Sequence, residues 1–158
     1  MRRPLGNSRM DAMKMAQKKQ VLAFDFGASS GRAMLGSFDG NTISYQEIHR
    51  FSNDPVRIGK NFYWDTFRLY HELKQGLKKA AARKLPIKSL AIDTWGVDYA
   101  LLDKDGNIIG NPINSRDDRT IGVIDEVGKI VPLKEIYAST GIQFMNFNTI
   151  FQLYADKK

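Results

Sequence analysis

The residues most suited to chemistry lie between Asp25 and Arg32, in the run DFGASSGR that follows the apolar segment Val21 to Phe24. A phosphate group needs several backbone N–H groups aimed the same way, and small residues allow the main chain to come close to it. Gly27, Ala28, Ser29, Ser30 and Gly31 satisfy that need, and the two serines add hydroxyl donors. Arg32 contributes a guanidinium matched to planar oxyanions, and Asp25 a carboxylate able to hold a hydrated magnesium ion beside them. The plainer reading is a glycine-rich hairpin turn between two strands. Spacing alone does not separate the two.

A second candidate lies at Asp93 to Gly96, DTWG, directly after the apolar stretch Ile87 to Ile92. In α/β folds functional residues gather beyond the carboxyl ends of strands. Trp95 beside Gly96 could form an apolar platform where a small polar ligand reaches the backbone, or Trp95 could simply fill a core. The two histidines, His49 and His71, show no metal-ligand spacing and so give no sign of a zinc enzyme, and the lack of cysteine excludes a disulfide scaffold or thiolate metal site. His49 reads as an exposed or satisfied strand residue. The aromatic run Phe62, Tyr63 and Trp64 reads as core packing rather than a sugar-stacking surface.

The elements that must position these groups follow from the hydrophobic pattern. A strand over Val21–Phe24 precedes the turn, and a second runs from Gly31 to Phe38. The DGN signal at Asp39 to Asn41 closes a hairpin with a third strand over Thr42 to Phe51, where Ile43, Tyr45, Glu47 and His49 should share one partly solvated face. A loop is expected from Ser52 to Trp64. Asp65 is placed to cap a helix reaching about Lys84, with Phe67, Tyr70, Leu73, Leu77 and Ala80 or Ala81 as its apolar stripe. Strands at Ile87 to Ile92 and Val97 to Leu102 come next, the second joined to Ile108 and Ile109 by the DKDGN turn. The charged run NPINSRDDRT reads as a structural ion-pair network through Arg116, Asp117 and Arg119. Helices are expected over 120–129 and 133–139, with a last one capped by Asn148.

With 158 residues, one domain is the default. Six Lys or Arg against one Asp in residues 1–20 account for +5 of the net +7, so the basicity belongs mostly to the tail and does not point to nucleic acid. We expect residues 1–19 to be a disordered basic tail and 20–158 to be the folded part. Met10, Met13 and Met15 offer later starts, and residues 1–14 are expected to be dispensable for folding. No apolar run approaches the length of a membrane span, and the lack of cysteine suits a reducing, cytoplasmic compartment.

The resulting order, β-β-β-α-β-β-α, resembles the ribonuclease-H-like fold shared by actin, Hsp70 chaperones and many sugar kinases: an α/β domain on a mixed sheet. The succession DFGASSGR, EIHRF, YWD, IDTWGVDYALLD, RDDRT and GIQFMNFNTIFQL narrows the resemblance to the amino-terminal part of the FGGY carbohydrate kinase family, over about residues 21 to 154. The resemblance implies ATP and Mg2+ as cofactors, with Ala28, Ser29, Ser30, Gly31 and Arg32 at the ATP phosphates, Asp25 near the metal, and Gly96 with Trp95 at the sugar. It further implies phosphorylation of the 1-hydroxyl of the ketose L-rhamnulose in rhamnose catabolism. Fuculose, ribulose or xylulose kinases are the neighbouring possibilities, and a noncatalytic nucleotide-binding module or an inert truncated product lies outside the enzyme class. The family's catalytic aspartate is expected beyond Lys158, so the sheet is expected to be incomplete, the chain inactive alone, and the missing portion of the kinase to dock on it.

Overall fold

The computed structural model describes residues 18–158. They divide into two compact units, one of residues 18–53 and 68–94, the other of 54–67 and 95–158. The expectations for residues 1–17 fall outside the described residues. Strand β1 (Lys19–Phe26) begins one residue inside the expected tail.

In the first unit β1, β2 (Ser30–Phe38), β3 (Ile43–Ser52) and β6 (Ile87–Thr94) form one sheet in the order β3-β2-β1-β6. The β1–β2 and β2–β3 pairs are antiparallel, whereas β1 and β6 run parallel. Only a crossover can join parallel neighbours, and helix α1 (Thr66–Ala82) supplies it. The sheet is therefore mixed, as expected.

Alternating residues of β1 and β2 bury Leu22, Phe24, Ala33 and Leu35, which pack with Ile48 and Ala80. The helix approaches this face through Glu72, Gly76 and Ala80, spaced four apart, with Leu73 beside them. Gly76 makes the approach possible, because a Cβ there would lie 2.6 Å from the Phe24 ring and 3.1 Å from the Ala33 Cβ. The stripe expected to be buried is thus misaligned: Phe67 and Tyr70 are exposed and Leu77 half so. Periodicity located an apolar stripe, but the smallest residue decided which side could touch the sheet.

A bulge changes β3. Ala33 pairs with His49 while its neighbour Met34 pairs with Glu47, leaving Ile48 as the extra residue. Ile43 and Tyr45 are 73% and 79% exposed, whereas His49 is 8% exposed, so they do not share the expected face. His49 is satisfied rather than free: Nε2 lies 2.6 Å from Glu72 and Nδ1 2.8 Å from the Lys79 ammonium.

The second unit has less regular structure. The expected loop at 52–64 contains a short antiparallel hairpin, β4 (Val56–Ile58) with β5 (Asn61–Tyr63), turning at Gly59 with φ of 60°. Residues 97–102 do not form the expected strand. The DKDGN turn is present, with the Asp103 carboxylate accepting the N–H groups of Asp105 and Asn107, but only a single bridge joins Leu102 to Ile108. Leu101 and Leu102 stay exposed, with no long neighbour to extend the ladder.

Three helices follow: α2 (Val123–Gly128), α3 (Leu133–Thr140) and α4 (Thr149–Lys157). They bury Val123, Val127, Ile136 and Phe151. A 3-10 turn at Asp118–Thr120 occupies the start expected for α2, and Gly141, at φ of 65°, ends α3. Asn148 stands at the start of α4, but its side chain accepts from Met145 N–H instead of capping the helix. No helix among the described residues is long and apolar enough to cross a membrane.

Candidate functional site

The turn after β1 is a closed loop in the first unit. Gly27 N–H donates to Ser30 O at 3.0 Å, and β2 starts at Ser30. Gly31 pairs with Phe51 across β2 and β3, and a Cβ on Gly31 would meet the Phe51 ring at 2.1 Å. Only glycine fits there. Asn53, just beyond β3, donates from Nδ2 to Gly27 O at 2.8 Å and from its backbone N–H to Ser29 O at 3.0 Å. The carbonyls of Gly27, Ser29 and Ser30 are thereby tied inside the protein. Among the described residues, the N–H groups of Ala28 and Ser29 have no protein acceptor. A turn with bonded carbonyls and free N–H groups can accept an anion.

Asp25 and Arg32 are register partners across β1 and β2, and their side chains form an ion pair at 2.5 Å. Both are nearly half exposed, so the guanidinium is partnered yet open to solvent on the turn's flank. Asp93 occupies the register position beside Asp25 on the parallel neighbour β6.

Behind the turn, the Glu72 carboxylate accepts from His49 and, at 2.6 Å, from Arg68 Nε. Burial works to raise its pKa, but the hydrogen bonds from His49 and Arg68 outweigh that and hold the carboxyl below its usual range. The imidazole stacks near Phe51, ring centroids 5.7 Å apart, and Phe51 covers Gly31.

Trp95 and Gly96 belong to the second unit. Trp95 is half-buried, its ring tilted by 30° against Trp64 with centroids 4.3 Å apart. Trp64, 3% exposed, donates its indole N–H to Asp98 Oδ2 at 2.9 Å, and Ser115 Oγ donates to the same oxygen at 3.2 Å. Trp95 therefore combines both sequence readings, with one face supported by a core residue and part of its surface open. Nothing lies within 4 Å of a Cβ placed on Gly96. Gly96 and Val97 border a cavity of about 300 Å³, walled by Ile136, Ile142 and Phe144 with Thr140 and Asn148 as polar members.

The charged run is structural, as read, but its bonding differs from a simple ion-pair network. Buried Asp117 accepts the backbone N–H groups of Phe62 and Arg119. Arg119 pairs with Asp156 at 2.8 Å and donates to Gln152. Sequence reasoning missed Asn53 and the Trp64–Asp98 bond. An asparagine closing a strand is the only local sign of the first, and nothing local shows the second, which spans 34 residues.

These features place the chain in a recognisable fold class. The solved gluconate kinase and ligand-bound xylulose kinase from Lactobacillus acidophilus each match 89% of this chain and 28% of their own, with TM-score 0.73 and 14% identity. At that identity the likeness concerns the fold, which is that of the sugar kinases, an actin- and Hsp70-like α/β architecture. The chain belongs to the FGGY family of carbohydrate kinases, residues 20–154 matching the family's N-terminal domain. It is 46% identical over 136 residues to the rhamnulokinase of Bacteroides thetaiotaomicron and 44% identical over 139 residues to that of Klebsiella pneumoniae. Those alignments cover 86% and 87% of this chain but 28% of each relative.

Proposed function

We propose that this chain forms the phosphate-binding part, and one wall of the sugar site, of a cytoplasmic kinase that transfers the γ-phosphoryl group of ATP to the 1-hydroxyl of L-rhamnulose. The observation that carries the reading is the turn from Gly27 to Ser30, in which the Gly27, Ser29 and Ser30 carbonyls are bonded internally while the Ala28 and Ser29 N–H groups have no protein acceptor among the described residues. The shared sequence with rhamnulokinases supports the choice of sugar.

The residues present fit both implied groups. Magnesium is commonly held by one or two carboxylates together with substrate phosphates, so Asp25 is enough on the protein side. Bound there, MgATP supplies the phosphoryl group and the charge neutralisation that its transfer requires. The chain's own contributions are positional. The N–H groups of Ala28 and Ser29 and the hydroxyls of Ser29 and Ser30 donate to phosphate oxygens, and Gly31 lets β2 leave the turn without obstruction. Arg32, now paired with Asp25, would turn to a phosphate oxygen when the nucleotide is bound, leaving the Asp25 carboxylate able to hold the metal. The exchange costs little, because a half-exposed ion pair contributes at most about 1 kcal/mol. Trp95 offers its open face, and Gly96 its unshielded backbone, to the ketose.

We assign no described residue as the base that takes the hydroxyl proton. Asp98 has Oδ2 taken by Trp64 and Ser115 and Oδ1 buried away from any ligand, and Asp93 stands beside Asp25. The base belongs to the part of the parent enzyme that lies beyond Lys158 in its relatives, and that part is also the partner that covers the exposed Leu90 and Ile92 on β6. A coupled ADP-release assay with L-rhamnulose tests the proposal. The 158-residue chain is expected to show no appreciable turnover, and the chain continued to the length of its relatives is expected to turn over L-rhamnulose faster than L-fuculose, L-ribulose or D-xylulose. Robust turnover by the short chain, or preference of the long one for another ketose, would overturn the corresponding part.

A further inference from the structure

We propose that Asn53 is the positioning residue of the phosphate turn, holding the Gly27 and Ser29 carbonyls inward so that N–H groups of the turn face a polyphosphate. The proposal rests on the phosphate-binding reading of Gly27 to Arg32. An anion approaching a turn meets carbonyl oxygens as readily as N–H groups unless the carbonyls are engaged elsewhere. Here the Asn53 amide nitrogen engages Gly27 O and the Asn53 main chain engages Ser29 O. Asn53 thus sets the orientation of the Gly27–Ala28 peptide, whose N–H belongs to Ala28, and of the Ser29–Ser30 peptide.

The anchor is rigid. Asn53 is 6% exposed, and residues 49, 51 and 53 recur at strand spacing, each buried and each with a distinct hold. His49 bonds Glu72, Phe51 closes over Gly31, and Asn53 bonds the turn. The turn's geometry therefore depends on a segment 26 residues later in the chain. Asparagine suits the position chemically. Leucine has nearly its shape without a donor, and aspartate would set a carboxylate against the Gly27 carbonyl.

Inorganic tripolyphosphate, titrated into the 158-residue chain by calorimetry at fixed ionic strength and followed by amide NMR, tests the assignment. Wild type is expected to bind, with the largest shifts at Ala28 and Ser29. Asn53→Leu retains the main-chain bond to Ser29 and removes only the side-chain donor. It is expected to bind roughly three- to tenfold more weakly, the range for one lost hydrogen bond, with altered shifts at those two amides. A purely structural role would lower the melting temperature and leave the affinity of the folded protein unchanged, and that result overturns the proposal. Asn53→Ser, smaller and polar, is read the same way if leucine prevents folding. If wild type itself fails to bind tripolyphosphate, the phosphate-turn reading falls and takes the proposal with it. Equal binding by wild type and variant removes the role of Asn53 alone.

Discussion

Gly76 gives the sharpest test of how α1 meets the sheet, because two physical effects there oppose each other. Replacing an interior helical glycine with alanine ordinarily stabilises a helix by about 1 kcal/mol, since glycine loses more backbone freedom on folding. In this structure the new methyl group would stand 2.6 and 2.9 Å from carbons of the Phe24 ring and 3.1 Å from the Ala33 Cβ. Phe24 is fully buried and packs edge-on against Phe26, so its ring has little room to withdraw, and Ala33 Cβ is fixed to the backbone of β2. Overpacking of this kind costs typically about 1–3 kcal/mol. Three short contacts on rigid groups place the cost in the upper part of that range, so Gly76→Ala should be net destabilising by about 1–2 kcal/mol. Equilibrium urea unfolding followed by circular dichroism measures the difference. A variant more stable than wild type would refute the packing of α1 on β1 and β2, because propensity would then be acting without opposition.

Removing the Trp64 indole by Trp64→Phe should cost about 1.5–3 kcal/mol, the range for a hydrogen bond to a charged acceptor, as measured by urea unfolding. Trp64 and Trp95 are the chain's two tryptophans, so the same variant should lose the exciton couplet of the stacked pair from the far-ultraviolet spectrum; an unchanged couplet would contradict the stacking. Arg32→Ala should change stability by less than about 1 kcal/mol yet weaken tripolyphosphate binding, and unaltered affinity in calorimetry would remove Arg32 from the site. Because the folded-state pKa of Glu72 is depressed, its pairing stabilises the protein fully above the ordinary glutamate pKa of about 4.3 and loses that contribution as the pH falls through the lower folded value. Glu72→Gln should therefore reduce the acid dependence of the urea midpoint below that pH, and an unchanged slope would show that Glu72 does not titrate with folding.

Much of the first unit was legible because its signals are local. The apolar pattern along Val21 to Phe38 specifies two strands and the DGN turn joins the second to a third, and β1 and β2 agree with that reading to within two residues. The helix from residue 66 and its end before Pro86 follow from capping and periodicity. What failed were judgements about which face of β3 and of α1 turns inward, and the expectation that residues 97–102 find a strand partner. The β3 bulge at Ile48 reverses the face of His49, Gly76 rotates the contact of α1 away from Phe67 and Tyr70, and residues 97–102 lack the neighbour a strand needs. Each depends on a residue distant in sequence, which a pattern of apolar positions does not record.

The same division holds for the candidate site. By itself the sequence determined the donors and the close approach: small residues from Gly27 to Gly31, a carboxylate before them and a guanidinium after. It also determined the family, since ordered motifs survive as residue identities. Only the tertiary structure decided the direction in which that turn faces. A peptide group's orientation is set by the partner its carbonyl finds, and here the partner is Asn53, joined to Gly27 and Ser29 across the end of the sheet. Likewise, tryptophan beside glycine is visible in the chain, but the surface Trp95 presents depends on Trp64 and Asp98, which meet only when the backbone has folded.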